Sequence, residues 1–595
     1  MQGIFRLLAA VAVLLGLNVS SAAAAPTDYI PMADGTRLAA HVTLPEGYDG
    51  GRLPTIFVYD GYAGGSSSAG ERDGWATVHV SIRGTGCSGG QFALFDRRHA
   101  KDGREVMQWI TEQPWSNGLV GLMGHSYGGI TAMLTASEPP LRNSPDPLRA
   151  VVASGLIDDL YRGIVYIGGV PNLGFPLIWT AAYRPAVDVS GGTAPGLAAG
   201  DQTCVENLAD REVENPMDNP FLNGIIGYTD GPWWAEHSIY PRLANVNVPV
   251  FVGHAWQDEQ TGPRGGPLVW EQLPEGLPKR FVASNGDHAV NGGSPPEVRS
   301  QRYEWLDRWV RGIKNKIEKR PRVQILLETA NREAVQSNGI VEGDDLPLEQ
   351  TRWTRYYLRE EGGLSTEAPG ADGGSSTYVS GTSRQSWIYF ADSAGGEATH
   401  ASGPDELTFR SEVVEGEPRT IAGPTAATLY AQTTAAGVNT PTHTINTDFF
   451  VTIADEAPDG SLTYLQRGQL RASHRALDEH RTLYNDDGEI VRPEHPYTNP
   501  QDVTPGETEQ YEIEIFPVAH VFRPGHRMVV KIYSPPLWES LYAPTPSRFP
   551  SANTILHDEE HPSSLLMPDV PTPPLGDYEP ACGDLIGMRC VRPAG

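Results

Sequence analysis

Gly118-Leu119-Val120-Gly121-Leu122-Met123-Gly124-His125-Ser126-Tyr127-Gly128 decides how this chain is read. An apolar run ends in G-x-S-x-G, and Ile130-Thr131-Ala132-Met133-Leu134-Thr135-Ala136 after it has the composition to start a helix. A serine between a short strand and a helix, flanked by glycines, has the form of a nucleophile elbow. The glycines matter because the turn crowds the backbone, so a side chain there would collide with a neighbouring strand. Such a turn lifts the serine hydroxyl above the sheet, within reach of a histidine and of an approaching carbonyl. The same residues also fit a glycine-rich turn with an incidental serine, so the surrounding sequence has to decide.

Outward from the elbow, Thr55-Ile56-Phe57-Val58-Tyr59 and Ala76-Thr77-Val78-His79-Val80-Ser81 are dense in β-branched residues and predict buried strands. Residues 104–113 place Val106, Trp109, Ile110 and Gln113 at helical spacing, and Pro114 ends that helix. Further strands are expected at Ala150-Val151-Val152-Ala153, Val248-Pro249-Val250-Phe251-Val252 and Arg280-Phe281-Val282-Ala283-Ser284. A last helix over 299–310 carries Tyr303, Trp305, Leu306 and Trp309 on one apolar face. Strands alternating with helices predict an α/β fold around a mostly parallel sheet. Between 154 and 246 the pattern dissolves into Tyr, Trp, Gly and Pro with mixed charges, an insertion placed where a cap would cover the site.

After about residue 320 helical periodicity nearly vanishes. Tyr511-Glu512-Ile513-Glu514-Ile515 alternates apolar and acidic residues, as a half-buried strand does. Phe449-Phe450-Val451-Thr452-Ile453 and Met528-Val529-Val530-Lys531-Ile532-Tyr533 are further strands, and Asp459-Gly460 signals a turn. Short strands separated by Gly/Pro turns predict an all-β sandwich. Residues 565–595, rich in Pro and Gly, are expected to run along the surface.

The 595 residues are too many for one core and suggest three or four units at about 100–200 residues each. A formal charge of −28 and a pI near 4.9 argue against a polyanionic partner such as nucleic acid. Residues 1–24 have the layout of a secretory signal: Arg6, an apolar run over 7–17, and small residues at Ser21-Ala22-Ala23-Ala24. The run is shorter than the roughly 20 residues of a membrane span, so an exported protein without a stable span is expected, cut after Ala23 or Ala24. Four cysteines allow three pairings; Cys582 and Cys590 are expected to form a local bridge, while Cys87 and Cys204 either pair or stay free. Neither pair has metal-ligand spacing, and no metal is expected.

A serine needs a base to take its proton and an acid to orient that base. In α/β hydrolases the chain order is Ser, Asp/Glu, His. The strand at 248–252 leads into Gly253-His254-Ala255-Trp256-Gln257-Asp258-Glu259, where Asp258 sits just past a strand end. The strand at 280–284 leads into Asn285-Gly286-Asp287-His288, a loop histidine in the right order. Glu259 and His254 compete for these roles, and His125 adjoins the nucleophile with its side chain expected to point away along the elbow. The oxyanion of a tetrahedral intermediate needs two donors. One is the backbone N–H of Tyr127; the other is sought in Tyr59-Asp60-Gly61-Tyr62-Ala63-Gly64.

Taken together, Arg83-Gly84-Thr85-Gly86-Cys87-Ser88-Gly89-Gly90, Gln113-Pro114-Trp115-Ser116-Asn117-Gly118, the elbow, Asp159-Leu160-Tyr161-Arg162, Trp256-Gln257-Asp258 and Asp287-His288 resemble the CocE/NonD hydrolases, the cocaine esterase and Xaa-Pro dipeptidyl-peptidase group. Gly468-Gln469-Leu470-Arg471 and Val521-Phe522-Arg523-Pro524-Gly525-His526-Arg527 resemble the C-terminal β-sandwich of that family. The resemblance implies an α/β-hydrolase domain (25–153 and 247–318) with an inserted, mainly helical cap (154–246). A jelly-roll, galactose-binding-like domain (319–564) and a tail (565–595) would follow. It implies Ser126, Asp258 and His288 as nucleophile, acid and base, and Tyr62 as an oxyanion donor beside the Tyr127 amide. This chain has Asp60-Gly61-Tyr62 where relatives often have Asn-Pro-Tyr.

The expectation is a secreted serine hydrolase that cleaves small-molecule esters or activated amides through an acyl-enzyme, with no cofactor. An alternative is an Xaa-Pro dipeptidyl-peptidase or α-amino acid ester hydrolase. That chemistry needs carboxylates for a free ammonium, and Asp158, Asp159, Asp201, Glu206, Asp210, Glu212 and Glu214 are the candidates. A second alternative is an exported carbohydrate- or surface-binding protein built on the β-sandwich. Oligomeric state is open, a homodimer included.

Overall fold

The computed structural model describes residues 25–62, 72–141, 145–211, 229–288, 295–332, 334–371, 373–380, 405–436, 446–533 and 550–592. The expected export signal at 1–24 lies outside them, as do Ala63, Gly64, Glu212 and Glu214. No helix among the described residues is long and apolar enough to cross a membrane.

Among the described residues ten strands build the first sheet: β1 (Asp28–Pro31), β2 (Arg37–Thr43), β3 (Leu53–Asp60), β4 (Ala76–Ser81), β5 (Ser116–His125), β6 (Leu148–Ser154), β7 (Val250–Ala255), β8 (Lys279–Ser284), β9 (Val323–Leu327) and β10 (Gly339–Gly343). Their spatial order is β1-β2-β4-β3-β5-β6-β7-β8-β9-β10. From β4 across to β9 neighbouring strands run parallel, and the outer pairs are antiparallel. Both faces of the parallel part are covered, which explains its unbroken apolar runs. Phe57 and Val151 face a core that includes Val106, Met107 and Ile110 of α1 (Arg97–Glu112), whereas Ile56 and Val152 face Trp305 and Leu306 of α3 (Pro296–Trp309). Helix α1 begins seven residues before the start read from periodicity, because the Asp96 side chain accepts from Arg98 N–H and caps it. Strands β9 and β10 correct the boundary drawn at 318/319: the hydrolase sheet takes two strands from beyond it.

The insertion is helical from Phe175 through Ala198, and a further helix spans Gln202–Ala209. A disulfide joins Cys87, in the loop after β4, to Cys204 in that helix. Around it Asp188 accepts from the Gly86 N–H, Thr193 donates to the Gly86 carbonyl, and a Cβ at Gly192 would stand 2.6 Å from the Gly86 Cα.

The described residues of the C-terminal domain form a 12-stranded antiparallel assembly whose main path ends on Leu364–Ser365 and Glu406–Arg410. Its long inner strands are Arg419–Ala435, Asp448–Glu456, Leu462–Arg471 and Thr508–Phe522. One expectation fails here: Ser564–Val570 is no surface tail but a buried strand between Arg352–Leu358 and Arg419–Ala435. Pro568 disguised it, since proline lacks the donor a ladder needs. The partner strand accommodates this with a register shift between Ile421 and Ala426, opposite the proline.

The alternation of 511–515 marks one face correctly but not what covers the other. Glu514 points into the hydrolase domain, where Arg264 donates to it at 3.0 Å and to Glu494 at 2.8 Å. Arg162 pairs with Asp159 and Asp230, both at 2.7 Å, and with Glu494 at 2.8 Å. Asp158 lies 4.0 Å from Arg264, and Arg481 stands at the edge of the group. Five carboxylates thus meet these three guanidiniums and the nearby Arg492, itself forked onto Glu271, and burial leaves the surplus costly. Burial pushes Glu514 up to about 7 against the pull of Arg264, and Asp158 up to about 6. The folded state therefore holds protons the unfolded chain has released, so stability falls as pH rises from the ordinary carboxylate range to about 7. Glu514→Gln keeps an acceptor for Arg264 without a second charge. The drop in melting temperature between pH 5 and pH 7.5 should be smaller in this variant than in the wild type; equal drops would refute this account.

Candidate active site

Strand β5 ends at His125 and α2 (Tyr127–Ser137) begins at once, leaving Ser126 alone on the turn with φ 58° and ψ −129°. This is a strained conformation for a residue with a side chain, held because its surroundings determine it. The Ser126 N–H donates to the Ser154 carbonyl on β6 at 2.9 Å, and its carbonyl accepts from Ile130 at 3.0 Å. A Cβ at Gly124 would lie 2.1 Å from the Gly128 carbonyl oxygen, and one at Gly129 would lie 2.4 Å from that of Ser154. At Gly128 the nearest atom would be at 3.5 Å, an ordinary contact. The collision with a neighbouring strand expected of the motif thus belongs to Gly129, one residue past its end.

Asp258 follows β7 and is fully buried. Its Oδ1 accepts from the N–H groups of Gln260 at 3.0 Å and Thr261 at 3.1 Å, and its Oδ2 from the Thr261 hydroxyl at 2.8 Å. His288 Nδ1, in the loop after β8, stands 2.8 and 3.0 Å from the two carboxylate oxygens. Four donors thus converge on one carboxylate, and a ring whose Nδ1–H is committed to it leaves Nε2 as an acceptor. The competitors are engaged elsewhere. Glu259 is forked onto Arg467 at 2.8 and 3.1 Å, and burial lowers the buried His254 to about 4.

His125 departs from expectation. Its ring does not point away but packs on His288, centroids 4.4 Å apart, with Nδ1 3.2 Å from the Ser154 hydroxyl. Burial, reinforced by the neighbouring His288, holds it well below the usual histidine range, so it is a neutral wall.

Tyr62 lies two residues past β3, its N–H donating to Asp60 at 2.9 Å in a tight turn. Its hydroxyl accepts from the Trp179 indole N–H at 3.0 Å and shares a hydrogen bond with the Ser126 side chain. Burial raises it far above the ordinary tyrosine value, so it stays protonated. At Gly61 of Asp60-Gly61-Tyr62 a Cβ would be 3.0 Å from the Tyr127 ring. The Tyr127 N–H belongs to the first turn of α2, where backbone donors have no partner within the helix. The rings of Tyr127, Trp179 and Tyr183 surround Tyr62 at centroid distances of 5.8, 6.4 and 5.7 Å.

The structure therefore brings Asp258 to His288, and Tyr62 to Ser126. Thr261 and Trp179 are the partners that sequence reasoning did not assign. Thr261, a hydroxyl three residues past the acid, carried a weak signal of an Asx-type turn; Trp179, in the insertion, carried only its aromatic character. No group of acidic, histidine or cysteine residues suited to a metal occurs among the described residues.

Two family descriptions match the chain in order. Residues 34–290 match the X-Pro dipeptidyl-peptidase (S15 family), and 315–566 the X-Pro dipeptidyl-peptidase C-terminal non-catalytic domain. The chain is 25% identical to the cocaine esterase of a Rhodococcus species, over 85% of this chain and 89% of that protein. It superimposes on a CocE/NonD family hydrolase of Staphylococcus aureus with a TM-score of 0.71 at 18% identity, covering 92% and 93% of the two chains. An aminopeptidase from a marine sediment thaumarchaeon gives 0.66 at 19% identity, covering 91% and 97%. An elbow serine, a domain order shared with this group and likeness along nearly the whole length lead to one assignment: the chain belongs to the CocE/NonD, S15-like family of serine hydrolases.

Proposed function

We propose that the protein is an exported carboxylesterase in which Ser126, His288 and Asp258 act as nucleophile, base and acid. The observation that carries this reading is the buried Asp258 carboxylate on His288 Nδ1 at 2.8 Å, beside a serine held on a strained elbow. Ser126 Oγ attacks the ester carbonyl while His288 Nε2 takes its proton, and Asp258 stabilises the imidazolium. The negative charge that develops on the carbonyl oxygen meets the Tyr127 N–H and the Tyr62 hydroxyl. Collapse expels the alcohol, which leaves with the proton from His288. A water then gives its proton to His288 and attacks the acyl carbon, releasing the acid and regenerating Ser126. No step calls for a cofactor.

An ester is favoured over a peptide with a free amino terminus because three of the candidate carboxylates, Asp159, Asp201 and Glu206, are engaged. Asp159 is tied to Arg162, Asp201 accepts from Tyr29 and the Cys204 N–H, and Glu206 pairs with Arg37. An ammonium would have to displace those partners. The test compares a p-nitrophenyl ester with an Ala-Pro p-nitroanilide on the purified protein. Faster turnover of the anilide would reverse the assignment. Export is supported by the leader pattern and by two disulfides, which persist in oxidising compartments. Amino-terminal sequencing of the protein from the culture medium should begin at Ala24 or Ala25.

Tyr62→Phe removes one oxyanion donor and leaves the Trp179 indole without its acceptor. By analogy with other single oxyanion donors, kcat should fall about 10²–10³-fold with KM little changed. An unchanged kcat would remove Tyr62 from the oxyanion hole.

A further inference from the structure

The last residues of the chain return to the site. The loop between Cys582 and Cys590, closed by a disulfide, lies against the turn that carries His288. Asn285 begins that turn, and its side-chain amide donates to the Ile586 carbonyl at 3.0 Å and to the Thr329 carbonyl at 2.8 Å. Ile586 in turn donates to Thr329 at 3.1 Å. Gly587 has φ +75°, and a Cβ there would stand 2.6 Å from the Gly286 carbonyl carbon and 2.8 Å from the Asp287 nitrogen. Two backbones are thus in direct contact immediately before the histidine.

The other end of the loop is fixed as well. Cys590 pairs with Thr463, and Tyr464 donates to the Arg589 carbonyl at 2.7 Å, on the strand Leu462–Arg471. That strand also holds the turn of the acid: Gln257 donates to the Leu465 carbonyl at 3.1 Å, and Gln466 to the Trp256 carbonyl at 2.7 Å. Gln257 then closes the circuit, accepting from the Gly286 N–H at 3.0 Å.

We propose that the disulfide-closed loop Cys582–Cys590 is a positioning element for His288, fixing the base turn against the strand that fixes the acid turn. The inference rests on the triad reading above. A loop without helix or long strand holds one shape only if its freedom is removed, and a cross-link eight residues long does this. Gly587, Ile586 and Asn285 transmit that shape to the base turn; none of them touches the substrate.

The experiment uses the full chain with two changes: the pair Cys582→Ser/Cys590→Ser, and separately Gly587→Ala. Measured are kcat and KM on a p-nitrophenyl ester, the rate at which a fluorophosphonate labels Ser126, and the melting temperature. A misplacement of the base by about 1 Å should lower kcat and the labelling rate by about 10–100-fold, with KM within about twofold. The melting temperature should remain well above the assay temperature. The inference is overturned if the double-serine variant keeps wild-type kcat, or if its activity falls only as its folded fraction falls. That variant decides the matter where Gly587→Ala does not fold. His288→Ala is run alongside. If it loses turnover while the loop variants keep theirs, only the loop's role fails. If it turns over like wild type, the triad reading fails and takes the loop's role with it.

Discussion

Ser126→Ala is expected to lower turnover of any ester substrate by about 10⁶-fold and to abolish fluorophosphonate labelling, since nucleophile and base act as a unit. The loss should appear in kcat, because nothing that binds the substrate before attack has been removed. Folding should be unaffected. The turn is held by the Ser126 backbone, through Ser154 and Ile130, and alanine keeps those bonds. A variant that melts like wild type yet retains more than a trace of hydrolysis would show that Ser126 is not the nucleophile.

Asp258→Asn is the second large effect, and its cause is a tautomer. The carboxylate accepts from Gln260, Thr261 and His288, with no proton of its own to give. An asparagine amide offers donors in the same place. One of them facing His288 Nδ1 would shift the ring proton to Nε2, the atom that must accept from Ser126. Turnover should fall about 10⁴-fold with the site's shape preserved. The same amide would face the Thr261 hydroxyl or the two backbone donors with the wrong polarity, so a small loss of melting temperature is also expected. Asp258→Asn with activity within tenfold of wild type would require another acid, and none other lies within hydrogen-bonding distance of His288 Nδ1 among the described residues.

What could be read in advance follows the range of the forces involved. Strands β3 to β8 of the hydrolase sheet were legible because burial on both faces writes itself as continuous apolar runs, and the elbow because Gly124 is sterically required. Ser126, Asp258 and His288 were legible only as an order along the chain; that Asp258 reaches His288 is a property of parallel strands ending on one edge. Three features stayed hidden. Alternation at 511–515 showed which residues share a face but not that Glu514 would meet Arg264. Pro568 masked a buried strand, since the compensating shift lies in a partner far away in sequence. The ring of His125 turned toward His288 because the loop after β8 fills the space beside the elbow, which nothing local records.

The Cys87–Cys204 bond has a consequence for how far the cap can move. It ties the helix Gln202–Ala209 to the loop after β4, and the Asp188, Gly192 and Thr193 contacts at Gly86 seal the segment before it. This part of the cap cannot swing aside as a door. It moves only with the loop after β4, and through that loop with the hydrolase sheet.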